Sequence, residues 1–78
     1  MSSVSSEVAD AARAEVRALV TRREAAVLTL LAHGLTNEQI AHRLAISPRT
    51  VDKHLEHAYP KLRVCGRVEA ANLWRAGV

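Results

Sequence analysis

Residues 36–55 read TNEQIAHRLAISPRTVDKHL and predict two short helices joined by a tight turn. The first helix opens with a capping box from Thr36 to Gln39. The second opens at Pro48, with Ser47 as its cap. Apolar residues at helical spacing allow the two helices to close on each other; they are Ile40, Ala41, Leu44, Ile46, Val51 and Leu55. This is the helix-turn-helix pattern, whose second helix presents a polar face to the DNA major groove.

Further helices are predicted on both sides of this unit. Before it, Thr21 and Glu24 form a capping box, and Gly34 supplies the left-handed residue that ends the helix. After it, residues 67–76 form a predicted helix with an apolar stripe. The apolar stripes of these two helices are Val27, Leu28 and Leu31 in the first and Val68, Ala71 and Trp74 in the last.

The N-terminal region has a different character. Residues 1–6 are rich in serine, and we expect them to be disordered. Residues 7–18 are rich in Ala, Glu and Arg and predict a helix with a weak apolar stripe, either a linker or an arm for a second subunit. The predicted domains are therefore 1–18, a tail with a linker helix, and 19–78, the helix-turn-helix domain.

Composition indicates an all-α domain without catalytic machinery. A chain of 78 residues is one small domain, whose core is too thin for a catalytic cleft and its scaffold. The aromatic residues are Tyr59 and Trp74, so aliphatic side chains must build the core. With 3 Gly and 2 Pro, the chain has too few turn residues for an all-β fold. Neither a phosphate-binding loop nor a nucleophile elbow is present in the sequence.

Charge and cysteine content indicate the setting. The net charge of +3 suits a polyanionic partner but does not demand one. A single cysteine, Cys65, excludes an internal disulfide and is typical of a reducing cytoplasm. The sequence has no apolar run near the ~18 residues of a membrane span and no signal pattern at its start. We expect a soluble, cytoplasmic protein with no membrane partner.

The outer face of the second motif helix carries Arg49, Asp52, Lys53 and Glu56. In the functional interpretation, the two cations contact phosphates or guanine and the acids accept from a cytosine amino group. In the alternative, this is an ordinary solvated face. That face would be poorly stabilised, because its i,i+4 pairs are like charges.

Two other clusters allow similar alternatives. Thr36 and Asn37 lie at a helix N-terminus, where free amides attract phosphate but also serve plain capping. His54, His57 and Cys65 are close in sequence, but they lack the partners and spacing of a zinc site. We predict neither a metal nor a cofactor.

Four ordered segments form a specific combination: residues 21–24 with 27–28, 34–41, 46–51, and 61–62 with 67–70. Through them the chain, from Leu19 to Val78, resembles the LuxR-type helix-turn-helix domain of bacterial transcription regulators. The resemblance implies a four-helix domain that binds double-stranded DNA as a homodimer. It leaves open whether a sensor or receiver domain is missing from this chain.

The resemblance also implies roles for residues by position. The positions where family members contact bases are Asp52, Lys53 and Glu56. The positions where phosphates are commonly held are Thr36, Asn37, Ser47, Arg49, Thr50 and Lys61. The positions at or near the dimer interface, on the fourth helix, are Val68, Ala71, Asn72 and Arg75.

The chain departs from the family pattern at three positions. Asp52 stands where the family usually has a basic residue, which removes one attraction to phosphate. Arg63 replaces the glycine that usually ends the third helix, so we expect that helix to end another way. Pro60 deletes a backbone amide and disfavours helical geometry at Tyr59, which predicts a kink or an end near Ala58.

Two other functions compete with a LuxR-type regulator. A sigma-factor promoter-reading domain shares the Ile-Ala…Ile-Ser…Thr-Val pattern, but the predicted helix over residues 67–76 argues against it. A protein-interaction module that kept the fold and lost DNA affinity would explain Asp52, Glu56 and Pro60. The basic balance and the anion-ready helix start favour DNA binding.

Overall fold

The regular elements of the chain are helices throughout the residues that the computed structural model describes, 15–77. Residues 15–19 are helical. Four helices follow: α1 (Arg22–Ala32), α2 (Asn37–Leu44), α3 (Pro48–Leu62) and α4 (Arg67–Arg75). The all-α, four-helix prediction is confirmed. The predicted disorder of residues 1–6 and most of the predicted helix over 7–18 lie outside the described residues.

Both predicted capping boxes are present. The Thr21 hydroxyl accepts from the Glu24 amide at 3.1 Å, and the Glu24 carboxylate accepts from the Thr21 amide at 3.0 Å. At the start of α2, Thr36 and Gln39 exchange the same two bonds, at 3.2 and 2.8 Å. In each box, side-chain oxygens accept hydrogen bonds from two backbone amides that would otherwise have no partner within the protein. Local sequence therefore fixes where α1 and α2 begin.

The turn between α2 and α3 is short because one residue adopts the left-handed conformation. Ala45, with φ 57°, ends α2, and the next amide, that of Ile46, donates to the Ala41 carbonyl at 3.0 Å. Ser47 then caps α3 by accepting from the Thr50 amide at 3.1 Å. The chain thus passes from α2 to α3 in three residues, with Ala45 and Ser47 exposed and Ile46 half-buried between them.

The core is aliphatic and is shared by all four helices. Helix α1 packs against α4 and α3, and α2 packs mainly against α3. The buried apolar residues are Val27, Leu28, Leu31, Ile40, Ala41, Val51, Leu55, Ala58, Leu62, Ala70 and Trp74. Burial of this kind of surface is the main favourable term in folding. It also fixes α3 by one face, which leaves the opposite face in solvent.

The predicted end of α3 near Ala58 is wrong, because the helix continues to Leu62 with Pro60 inside its last turn. Pro60 is exposed, so the Glu56 carbonyl that loses its helical partner lies on the solvent side, where water can replace that partner. Pro60 also accepts at its own carbonyl from the Arg63 amide, at 3.2 Å, which closes the helix end.

The expectation that Arg63 would end α3 in a different way from glycine is also wrong. Arg63 adopts the left-handed conformation itself, with φ 57°. The following amide, of Val64, donates to the Tyr59 carbonyl at 3.1 Å and completes the turn. A left-handed residue with a Cβ costs about 1 kcal/mol or more, and these hydrogen bonds offset that cost.

Helix α4 is tied to α1 by polar contacts as well as by burial. The indole Nε1 of Trp74 donates to the Thr29 hydroxyl at 3.1 Å. The guanidinium of Arg17, from the N-terminal helical segment, lies 4.5 Å from the centre of the Trp74 ring, a cation–π contact. Of the weak N-terminal stripe, Val16 packs on the core and Leu19 is 59% exposed.

Candidate nucleic-acid interface

One face of α3 is buried and the other lies in solvent. Val51, Leu55 and Ala58 are buried and anchor the helix to the core. The four side chains that the sequence singled out for the outer face are all exposed: Arg49, Asp52, Lys53 and Glu56. A helix held from behind in this way presents a row of polar side chains that can enter a groove without rearrangement.

The hydroxyls at the start of α3 support that helix. Ser47 Oγ accepts from the Thr50 amide and also lies 2.9 Å from Thr50 Oγ1. Ser47 is exposed and Thr50 is half-buried. Both are predicted phosphate contacts, and both take part in the cap of α3. Pro48 has no N–H, and the Thr50 and Val51 amides bond to Ser47, so the Arg49 amide is the one that the start of α3 can offer to an anion.

Two residues predicted for separate roles contact each other. The side-chain amide of Asn37, at the first position of α2, donates to the carboxylate of Asp52 on α3. On its other side, Asn37 Oδ1 accepts from Nη1 of Arg67 at 2.8 Å. Arg67 is the first residue of α4, and sequence reasoning gave it no role. No local pattern could have revealed it, because the three residues are far apart in the chain.

Lys61 is paired with a buried carboxylate inside the domain. Its ammonium lies 2.7 Å from Glu24 Oε1, and the two side chains are 32% and 4% exposed. Burial raises the pKa of Glu24, but the hydrogen bonds from Lys61 and from the Thr21 amide, with the charge of Lys61, outweigh it. The pKa of Glu24 therefore lies below its ordinary value, and the carboxylate is ionised at neutral pH.

This pair gives Lys61 a structural role that the sequence did not indicate. Sequence reasoning assigned Glu24 to capping alone and Lys61 to phosphate binding. In the structure, Glu24 serves both the α1 cap and the link to α3. A phosphate near Lys61 would therefore share the ammonium with Glu24.

The α4 residues predicted at a dimer interface have unequal exposure. Val68 is 70% exposed, an unusual position for a large apolar side chain, and Ala71 beside it is half-buried. Arg75 donates twice to the Ala32 carbonyl, from Nε at 3.0 Å and from Nη2 at 2.8 Å, and once to Asn72. Arg75 thus caps the end of α1 within the monomer.

Other kinds of site are not apparent in residues 15–77. Within this range no three His, Cys, Asp or Glu side chains cluster in a way that could hold a metal ion. None of the helices described is long and apolar enough to cross a membrane.

The fold and the exposed α3 face agree with a comparison against known families. Residues 18–74 match the family described as bacterial regulatory proteins, luxR family. The chain belongs to this LuxR family. The predicted resemblance is confirmed, and with it the expectation that the chain is not an enzyme, since this is a family of transcription regulators.

Named relatives of this LuxR-family chain are regulators from several bacteria. It is 46% identical over 52 residues to the nitrate/nitrite response regulator protein NarL of Escherichia coli, which is 67% of this chain and 24% of NarL. It is 43% identical over 51 residues to the HTH-type transcriptional regulator MalT of Vibrio cholerae, 65% of this chain and 6% of MalT.

A third relative is an HTH-type transcriptional regulator of Mycobacterium tuberculosis. It is 48% identical over 50 residues, which is 64% of this chain and 6% of the relative. The chain therefore spans between 6% and 24% of these three relatives. The likeness covers the helix-turn-helix domain and not the remainder of the larger proteins.

Proposed function

We propose that this chain binds double-stranded DNA sequence-specifically, with α3 in the major groove, as the DNA-binding part of a bacterial transcription regulator. The observation that carries the proposal is the exposed face of α3, held outward by a buried aliphatic face on the same helix. Membership of the LuxR family supports DNA binding in general, and the exposed face supports α3 as the helix that enters the groove. Lys53 lies near the middle of the exposed face and is the leading candidate for contact with bases.

The charge distribution supports the same proposal. The net charge is +3, and Arg49 and Lys53 place two cations on the face that would approach DNA. The carboxylates of Asp52 and Glu56 weaken the attraction of this face to the phosphates. We therefore expect binding that depends on direct contacts as well as on charge. Such a regulator would act in the bacterial cytoplasm, with a sensor or receiver domain supplying its signal.

Binding to a duplex at rising salt concentration tests the proposal. We expect measurable affinity for a fluorescein-labelled duplex at 50 mM salt. The affinity should fall steeply toward 200 mM, because the release of counterions from DNA favours the complex less as the salt concentration rises. Fluorescence anisotropy gives the dissociation constant at each concentration. Absent binding, or binding that does not respond to salt, would favour the protein-interaction module instead.

We further propose that the chain forms a homodimer through α4. Val68 exposes a large apolar side chain next to the half-buried Ala71, on the side of the helix away from the core residues Ala70 and Trp74. A second copy of the same surface would cover both residues and remove that apolar area from water.

Val68→Glu is expected to shift the chain toward monomer, because a desolvated carboxylate at the centre of a small apolar contact is costly. Sedimentation velocity over a concentration series measures the monomer fraction. His42→Glu, at an exposed position on α2, also introduces a carboxylate and should leave the fraction unchanged. Equal sedimentation of wild type and Val68→Glu would exclude this interface.

A further inference from the structure

We propose that Asp52 is a positioning residue for DNA recognition and not a base-reading residue. It holds Asn37, and through Asn37 it is linked to Arg67, so that the starts of α2 and α4 are joined to the second turn of α3. We call this set the Asp52–Asn37–Arg67 relay. The proposal rests on the DNA binding proposed above and goes beyond it by assigning Asp52 and Arg67 a shared role.

The side-chain amide of Asn37 has one favourable orientation in the relay. Asn37 Nδ2 donates to the Asp52 carboxylate, and Asn37 Oδ1 accepts from Arg67 Nη1 at 2.8 Å. Rotating the amide by 180° would set its nitrogen against the guanidinium and its oxygen against the carboxylate. Both contacts would then be repulsive, so the two flanking charges fix the orientation of the amide. Opposite charges at the two ends also polarise the amide and strengthen both bonds.

This geometry holds the Asp52 side chain against the start of α2. One oxygen of its carboxylate accepts from Asn37, so any contact of its remaining acceptor sites with a cytosine amino group would have to be made from that held position. The relay also gives a physical reason for an acidic residue at a position where the LuxR-type pattern usually has a basic residue. A lysine at this position would offer a donor to the Asn37 amide nitrogen, and the observed bond could not form.

The relay lies where the orientation of α3 on DNA is decided. In helix-turn-helix domains, contacts to the phosphate backbone fix the register in which the second motif helix enters the groove. Asn37 is the first residue of α2, and Asp52 lies on the exposed face of α3. A side-chain link between these two points therefore constrains the groove-facing residues of α3 relative to the phosphate-facing end of α2.

Two substitutions at one position separate the hydrogen bond from the charge. Asp52→Asn keeps an oxygen that can accept from Asn37 and removes the charge, whereas Asp52→Ala removes both. Asn37→Ala breaks the same relay from the other side. The preferred duplex is first obtained by incubating the wild-type chain with a pool of randomised duplexes and sequencing the bound fraction. Anisotropy then gives the affinity of each variant for that duplex and for a shuffled duplex of the same composition.

The measured quantity is the ratio of the two affinities, because a change in charge affects both duplexes alike and cancels. We expect Asp52→Ala and Asn37→Ala each to lower this ratio about fivefold, the loss typical of one hydrogen bond. The double variant should lose no more than either single variant, since the two residues act as one unit. Asp52→Asn should keep the wild-type ratio while binding both duplexes more tightly. Urea unfolding of each variant verifies that it is folded.

Other outcomes overturn the proposal in distinguishable ways. If Asp52→Asn and Asp52→Ala both lose preference at a single base pair while Asn37→Ala keeps it, Asp52 reads a base and the relay is not its role. Additive losses for Asn37→Ala and Asp52→Ala exclude the relay while leaving DNA binding intact. A wild-type chain that enriches no sequence from the pool overturns the proposed sequence-specific function, and the relay's role in recognition with it.

Discussion

Lys53→Ala is expected to lower the affinity for the preferred duplex about tenfold, within the range of a good side-chain contact to a base. Lys53 is exposed one helical turn after Arg49, on the face of α3 opposite the buried Val51 and Leu55. The core-facing residues of α3 are apolar, so none of them can supply a positive charge in place of this ammonium. Anisotropy titrations against the preferred duplex and a shuffled duplex measure the loss, which should be greater for the preferred duplex.

Arg23→Ala provides the matched control for Lys53→Ala. Arg23 is an exposed cation near the start of α1, so its replacement removes the same charge from a different surface. We expect a much smaller change in affinity. Equal losses for the two variants would mean that only total charge matters, and α3 would then have no special place in binding.

Lys61→Met is expected to lower the free energy of unfolding by about 2 kcal/mol at pH 7. Methionine keeps the apolar stem and removes the ammonium that pairs with Glu24 at 2.7 Å. Breaking a buried pair costs about 3–5 kcal/mol when both groups are buried; the partial exposure of Lys61 reduces that cost. Urea unfolding followed by circular dichroism measures the change, which is a large part of the stability of a small domain.

The effect of Lys61→Met should depend on pH with a definite sign. In the wild type, the pKa of Glu24 lies below 4.5, so the contribution of this carboxylate is present above that pH and is lost as pH falls through the folded-state pKa. Without Lys61, two of the causes that lower the pKa of Glu24 are gone while burial remains, so the pKa of Glu24 rises and acidification costs the variant less. The difference between wild type and variant should therefore shrink as pH falls from 7 to about 4.

Lys53→Met separates this effect from a general loss of charge on α3. It makes the same substitution at an exposed position, and we expect little change in unfolding free energy at either pH. If the destabilisation by Lys61→Met were the same at pH 7 and pH 4, altered packing around the new side chain, and not loss of the ion pair, would account for it.

The parts of this fold that sequence predicted are those fixed by local interactions. Capping boxes span four residues, so Thr21–Glu24 and Thr36–Gln39 can be recognised as helix starts and are confirmed. The buried face of α3 followed from helical spacing. The placement of α4 against α1, and hence of Trp74 beside Thr29, did not follow from any local rule.

The errors and omissions have physical causes. The predicted end of α3 near Ala58 is wrong because Pro60 lies in the last turn on the solvent side, where it costs less than in a helix interior. The Glu24–Lys61 pair joins residues that are 37 positions apart, and the bond from Asn37 to Asp52 spans 15. Spacing rules do not reach such distances, so they identify candidate interface residues but not the contacts between them. The roles of the individual site residues in DNA binding stay predictions.

Trp74 is the one tryptophan in the chain, and the guanidinium of Arg17 covers its ring. The ultraviolet emission of the protein therefore comes mainly from a point where the segment preceding α1 meets α4. A change that moves that segment away from α4 would expose the indole to water and alter the wavelength and intensity of its fluorescence. The molecule thus carries an internal optical reporter of how its leading segment sits on the domain, without any added dye.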